Sequence, residues 1–192
     1  EDEMGQIIFN YVFEADDQER VTWDSIFLRW DSTKSTTPQE VHPDVKISKD
    51  EFDQDVIKKI DEFSKNSSDW WRQVSAALVH NHHIVWYGRN THVPNDMQAY
   101  SDGDPRANFH KKDHIELSSA IHAESYLIAE AAKAGFNTEG CDLYVSTFPC
   151  PVCAKLIAQA GIRKLFYSEG YAMLDGETVL KSKDVEIIKV EK

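Results

Sequence analysis

From Val74 onward the sequence alternates between two periodicities, and this alternation limits the fold more than any single residue does. Val74–Val79 and Ile84–Tyr87 are apolar runs of strand length. They are separated by His80-Asn81-His82-His83, a hairpin pattern. A helix is expected from about Ser118 to Ala134, stopped by Gly135. Asp142–Thr147 reads as a strand, Cys150–Ala160 as a helix ended by Gly161, and Arg163–Ser168 as a strand. A short helix at about Leu174–Lys181 and a last strand at Val185–Val190 complete the pattern. The order β-β-α-β-α-β-α-β predicts an α/β fold, with a mostly parallel sheet covered by helices on both faces. A connection long enough for a helical crossover makes the last two strands parallel neighbours. Residues 91–114 are polar, carry Pro94, Gly103 and Pro105, and predict a long loop of the kind that carries function.

The segment before Val74 reads differently. A short helix is expected around Trp23–Leu28, then a loop over Asp31–Pro38. Ser48 is a candidate N-cap, with Glu51 completing a capping box. Phe52, Val56, Ile57, Ile60 and Phe63 then recur at helical spacing and give one apolar face. Residues 1–69 are read as an acidic helical extension or insertion packed on a core formed by residues 70–192. The formal charge of the 192 residues is −12, and it is uneven. Residues 1–69 carry 8 basic and 18 acidic side chains, against 13 and 15 in residues 70–192. The balance argues against wrapping nucleic acid by a bulk field. It leaves room for an anionic ligand in a local pocket, such as one near Arg106, Lys111 and Lys112.

No run of 18 apolar residues is present, so no membrane span is expected. The first residues have neither the basic start nor the apolar core of a signal peptide. Cys141, Cys150 and Cys153 are the three cysteines, an odd and low count that fits a reducing cytoplasm better than a disulfide scaffold.

Two of those cysteines carry the chemistry. Pro149-Cys150-Pro151-Val152-Cys153 follows His122-Ala123-Glu124, with one expected helix and one expected strand between them. A Cys-x-x-Cys pair at a helix start can place two thiolates on one metal, and His122 can add a nitrogen. Three protein ligands are typical of catalytic zinc, because a fourth position stays open to water. The helix dipole at each N-terminus lowers thiolate pKa. Zinc lowers the pKa of water from about 15.7 to about 7. Glu124, two residues from His122, is placed to carry the proton without being a ligand. A redox Cys-x-x-Cys pair is the alternative reading, but such pairs do not come with an upstream His-Ala-Glu.

His-x-Glu followed by Pro-Cys-x-x-Cys is the signature of zinc nucleobase deaminases. From about Val74 to Val190 the sequence resembles the cytidine and deoxycytidylate deaminase superfamily. Thr147 to Ile162, with Ala154-Lys155-Leu156-Ile157-Ala158-Gln159-Ala160-Gly161-Ile162, is most similar to the deoxycytidylate (dCMP) deaminase branch. So is Leu165-Phe166-Tyr167-Ser168-Glu169-Gly170-Tyr171. The resemblance implies a three-layer α/β/α cytidine-deaminase-like fold with a mixed five-stranded sheet, and a zinc deaminase domain over residues 70–192. It implies Zn2+ held by His122, Cys150 and Cys153, with Glu124 as proton carrier. Asn90 is implied as a sugar contact, Tyr171 as an aromatic near the base, and Ala123 as a third substrate-binding residue. The sequence departs from the family at Gly88-Arg89-Asn90-Thr91-His92-Val93-Pro94, where the Pro is displaced by one. It departs again at Ser125-Tyr126, where the family often has Asn.

The implied reaction is hydrolysis of a cytosine nucleotide, dCMP to dUMP with release of ammonia. The implied assembly is a homo-oligomer, dimer or hexamer, with dCTP and dTTP as regulators. Two other readings stay open: a deaminase acting on a base in single-stranded DNA or RNA, and a catalytically silent nucleotide-sensing zinc fold. Elsewhere, His80, His82 and His83 read as an exposed turn rather than a second metal site. Trp70-Trp71 read as packing residues, and Cys141 as an ordinary small buried residue.

Overall fold

A computed structural model describes residues 39–44, 47–69, 72–104, 108, 117–170 and 176–192. The readings at Trp23–Leu28, Asp31–Pro38, Trp70-Trp71, Arg106, Lys111, Lys112 and Tyr171 lie outside these residues.

Helix α1 spans Glu51–Ser64. Its cap is Asp50, not Ser48: the Asp50 carboxylate accepts from the Phe52 and Asp53 amides at 2.9 and 3.4 Å. An ionised side chain at this position satisfies the orphan N–H groups and meets the positive end of the helix dipole. Ser48 is drawn away by a parallel bridge to Val190, and its hydroxyl donates to Asp53 Oδ2 at 2.6 Å.

Strand β1 (Ser75–His80) and strand β2 (His83–Arg89) form the expected hairpin. Asn81 and His82 form its two-residue turn with φ of 52° and 59°. A turn with both central residues at positive φ matches the right-handed twist of the strands, and Asn and His enter that region more readily than most residues. Strand β5 (Asp142–Thr147) lies antiparallel to β1, and strands β6 (Lys164–Glu169) and β7 (Glu186–Lys189) continue parallel to it. The sheet order is β2-β1-β5-β6-β7. The last two strands are parallel neighbours as expected, but the sheet as a whole is evenly mixed rather than mostly parallel. The reason is that helical crossovers begin only after β2, so β1 runs against both of its neighbours.

Strand alternation divides the core between two faces. Ala76, Leu78, Leu143, Val145, Leu165, Tyr167 and Ile187 face one side. They pack with buried residues of helices α3 (Ala123–Lys133), α4 (Pro151–Gln159) and α5 (Gly176–Lys181). Ala77, Val79, Tyr144, Phe166 and Ile188 face the other side, where Val56, Ile57 and Ile60 of α1 cover them. This is the α/β/α sandwich that the resemblance implied. On the α1 side Tyr144 and Phe166 stack with ring centroids 4.2 Å apart, which adds to the burial of both rings.

The helix expected from Ser118 begins at Ala123 instead. Strand β3 (Thr91–His92) pairs antiparallel with strand β4 (Ala120–Ile121), and this ribbon keeps the residues before His122 extended. Helix α3 does end at Gly135 as expected. Gly135 has φ +67°, and Phe136 N–H bonds the Ala131 carbonyl at 2.9 Å. The long polar segment also contains a single turn, α2 (Gln98–Ser101).

Candidate active site

The candidate site forms where two helices start. His122 is the N-cap residue of α3, extended at φ −71° and ψ 152° and delivered by β4. Cys150 is the N-cap residue of α4, with Pro151 in the first turn, where its missing N–H costs nothing. Strand β5 carries the chain to this point, and Phe148 N–H bonds the Glu169 carbonyl at 2.8 Å, anchoring the approach to the end of β6. Phe148 is buried and meets Tyr167 edge-on at 5.2 Å. The site therefore lies beyond the carboxyl end of the parallel strands β5 and β6, the usual place for chemistry in α/β sheets.

His122 Nδ1 lies 3.4 Å from Cys150 Sγ and 3.4 Å from Cys153 Sγ. The three ligand atoms fall within 4.8 Å of one another. A tetrahedron with Zn–S of about 2.3 Å and Zn–N of about 2.0–2.1 Å has N···S edges of about 3.5 Å. One nitrogen and two sulfurs at that spacing fit zinc in chemistry and in size. Among the described residues, this is the group of histidine, cysteine and acidic side chains spaced to hold a metal. The hairpin histidines sit at an exposed turn as expected, and His80 Nδ1 lies 3.4 Å from Cys141 Sγ. Cys141 is fully buried.

The sulfurs are not equivalent. A hydrogen bond from Cys153 holds the Cys150 thiol well below the usual range, helped by His122 and by the Cys153 backbone N–H. Cys153, as the donor, is pushed up. A divalent cation would bind both sulfurs in their deprotonated forms. Glu124, in the first turn of α3, is 3% exposed. Burial raises its carboxyl above the ordinary range, and the charge of His122 opposes that rise. A buried carboxyl whose protonated form is favoured in this way suits proton exchange with a reacting group. Ala123 is fully buried as the first residue of α3.

Asn90, just beyond β2, is 4% exposed. Its Oδ1 accepts from Ser67 Oγ at 2.7 Å and from Val74 N at 2.9 Å, and its Nδ2 donates to the Arg72 carbonyl at 2.7 Å. It ties the approach to β1 onto the end of β2. His92 is buried, with Nδ1 2.8 Å from Ser119 Oγ and Nε2 3.7 Å from Asp69.

Two further residues, Ser125 and Gly88, border the site. Ser125 Oγ lies 3.4 Å from Cys153 Sγ, for which no sequence signal exists. Gly88 lies against α3, and a glycine inside a strand pattern was the available sign of close backbone approach.

The family model for the cytidine and deoxycytidylate deaminase zinc-binding region matches residues 50–169, from the cap of α1 to the end of β6. The chain belongs to this deaminase family. The deoxycytidylate deaminase of Enterobacteria phage T2 is 42% identical over 96 residues, 48% of this chain and 51% of that protein. Human deoxycytidylate deaminase is 36% identical over 121 residues, 62% of this chain and 65% of that protein. The chain thus spans about half the length of the phage relative it matches. Among solved structures, the dCMP deaminase of cyanophage S-TIM5, in complex with dCMP and dUMP, superposes with a TM-score of 0.58 at 29% identity. That match covers 74% of this chain and 98% of the cyanophage chain. Among the described residues, no helix is long and apolar enough to cross a membrane.

Proposed function

We propose that the chain is a zinc-dependent hydrolase that converts dCMP to dUMP and ammonia. The observation that carries this reading is the buried Glu124 carboxyl beside the His122, Cys150 and Cys153 ligand set. The relatives named deoxycytidylate deaminase support the nucleotide class.

In this reading His122, Cys150 and Cys153 hold zinc, which when bound supplies the Lewis acidity that makes water a nucleophile near pH 7. Glu124 takes the proton that water loses as oxygen bonds to C4 of cytosine. It passes a proton to ring N3, then helps protonate the amine that leaves as ammonia. One water is consumed, the C4–N bond breaks, and a C4 carbonyl remains. The start of α3, with Ala123, borders the base. Asn90 and Tyr171 are assigned to the sugar and the base. For Asn90, contact with the sugar would be a second task beside its hydrogen bonds to Ser67, Arg72 and Val74. A homo-oligomer, dimer or hexamer, regulated by dCTP and dTTP and working in the cytoplasm, completes the proposal. Light scattering with and without each nucleotide tests the assembly.

The deciding experiment is a deamination assay on zinc-quantified protein over dCMP, dCTP, cytidine, adenosine, guanine and single-stranded DNA. Turnover is expected with dCMP and lost in Glu124→Ala, while the zinc content of the variant stays at the wild-type level. Activity retained in Glu124→Ala would sink the mechanism, and preference for DNA would sink the substrate.

A further inference from the structure

The two sulfurs of the site receive their hydrogen bonds from different sources. Cys150 Sγ accepts from the Cys153 backbone N–H at 3.5 Å, a donor that the helix start provides whatever side chains are present. Cys153 Sγ lies 3.4 Å from the Ser125 hydroxyl, a donor that exists only because residue 125 is serine. Ser125 is the third residue of α3 and Cys153 the third of α4, so this contact joins the two helices that carry the ligands. Cys153 is 1% exposed, so bulk water is not at hand to replace the hydroxyl if it is removed.

We propose that Ser125 is a positioning residue for the metal: its hydroxyl donates to the Cys153 thiolate, fixing the sulfur's direction and drawing negative charge from it. The inference rests on the zinc reading of the site. With a cation bound, both sulfurs are thiolates, and a thiolate can only accept. The 3.4 Å contact then has one polarity, oxygen to sulfur. Two thiolates and a neutral imidazole cancel the charge of a divalent ion. Any donor to a thiolate therefore leaves the ion more electron-poor and the ligand set better oriented. Outer partners of this kind are commonly worth 10–100-fold in metal affinity.

The test compares wild type, Ser125→Ala and Ser125→Thr. Alanine is the best helix former, so loss of α3 is not the expected result, and far-UV circular dichroism checks it. Zinc affinity is measured by chelator competition, and the thiolate-to-metal charge-transfer band is recorded after loading with Co2+. Ser125→Ala is expected to bind zinc about tenfold more weakly. Its cobalt band should move to longer wavelength, because an unbonded thiolate gives up electron density more easily. Ser125→Thr, which keeps the hydroxyl, should restore both. An alanine variant with wild-type affinity and an unshifted band overturns the role of Ser125. A wild-type protein with no thiolate-to-cobalt band overturns the metal reading beneath it.

Discussion

Gly88 of β2 passes so close to the start of α3 that a β-carbon there would stand 2.9 Å from the Ala123 carbonyl oxygen and 2.7 Å from Leu127 Cγ. Neither neighbour can yield easily: Ala123 and Leu127 are fully buried, and the carbonyl is backbone. The glycine therefore sets how near the sheet lies to the helix that carries His122 and Glu124. Gly88→Ala is expected to push the first turn of α3 outward and cost about 1–3 kcal/mol, as overpacking does. Urea unfolding should show that cost, and the variant should hold less than one equivalent of zinc.

Zinc removal should destabilise the protein, because a ligand that binds only the folded state adds stability. The amount is about 4 kcal/mol for free zinc at 1,000 times its Kd. Differential scanning fluorimetry with added chelator should show a lower Tm, restored by zinc. Cys153→Ala should sit at the low value with or without the ion. Because the ligands bind metal in their deprotonated forms, the zinc-dependent increment should shrink as pH falls.

Tyr144 donates to Asp53 Oδ1 at 2.6 Å, linking the central strand to α1. Burial, reinforced by that bond, pushes its phenol well above the usual tyrosine range, and burial moves Tyr167 up to about 12. Both groups favour the folded state while they stay protonated, so their contribution is full below pH 10 and declines as pH rises past it. Urea unfolding between pH 8 and 11 should show that decline. Tyr144→Phe should cost about 1.5–3 kcal/mol near pH 7, the worth of a hydrogen bond to a charged group, and should flatten the alkaline loss.

Asn90 makes three hydrogen bonds that close the approach to β1. Its replacement by Ala is expected to lower stability by about 2–3 kcal/mol at roughly 1 kcal/mol per bond. If Asn90 also meets the sugar, KM for dCMP should rise more in this variant than in Ser67→Ala, which removes only one of those bonds. Steady-state kinetics on the two variants decides between the roles.

The features visible in the sequence are the short-range ones. The hairpin was legible because a polar pair, Asn81-His82, stands between two apolar runs. Gly135 marked the end of α3 through its own backbone freedom. His122, Cys150 and Cys153 were legible because zinc demands those atoms, and helix starts bring them together from separate places in the chain. What was missed depends on distant partners. Ala120–Ile121 has helical composition and becomes a strand only because Thr91–His92 lies beside it. Asp50 takes the cap from Ser48 because Val190, far along the chain, bridges to Ser48. The Ser125–Cys153 contact depends on how α3 meets α4, which no local pattern encodes.

The two-faced sheet also means that neighbours in the sequence report on different things. Leu143 and Val145 look toward the helices that hold the site, whereas Tyr144 between them looks toward α1. A survey of substitutions along β5 should therefore alternate residue by residue. Changes at 143 and 145 should disturb turnover and melting together, and changes at 144 should register mainly as melting. A change that improves the α1 side would raise heat tolerance while leaving the chemistry largely untouched.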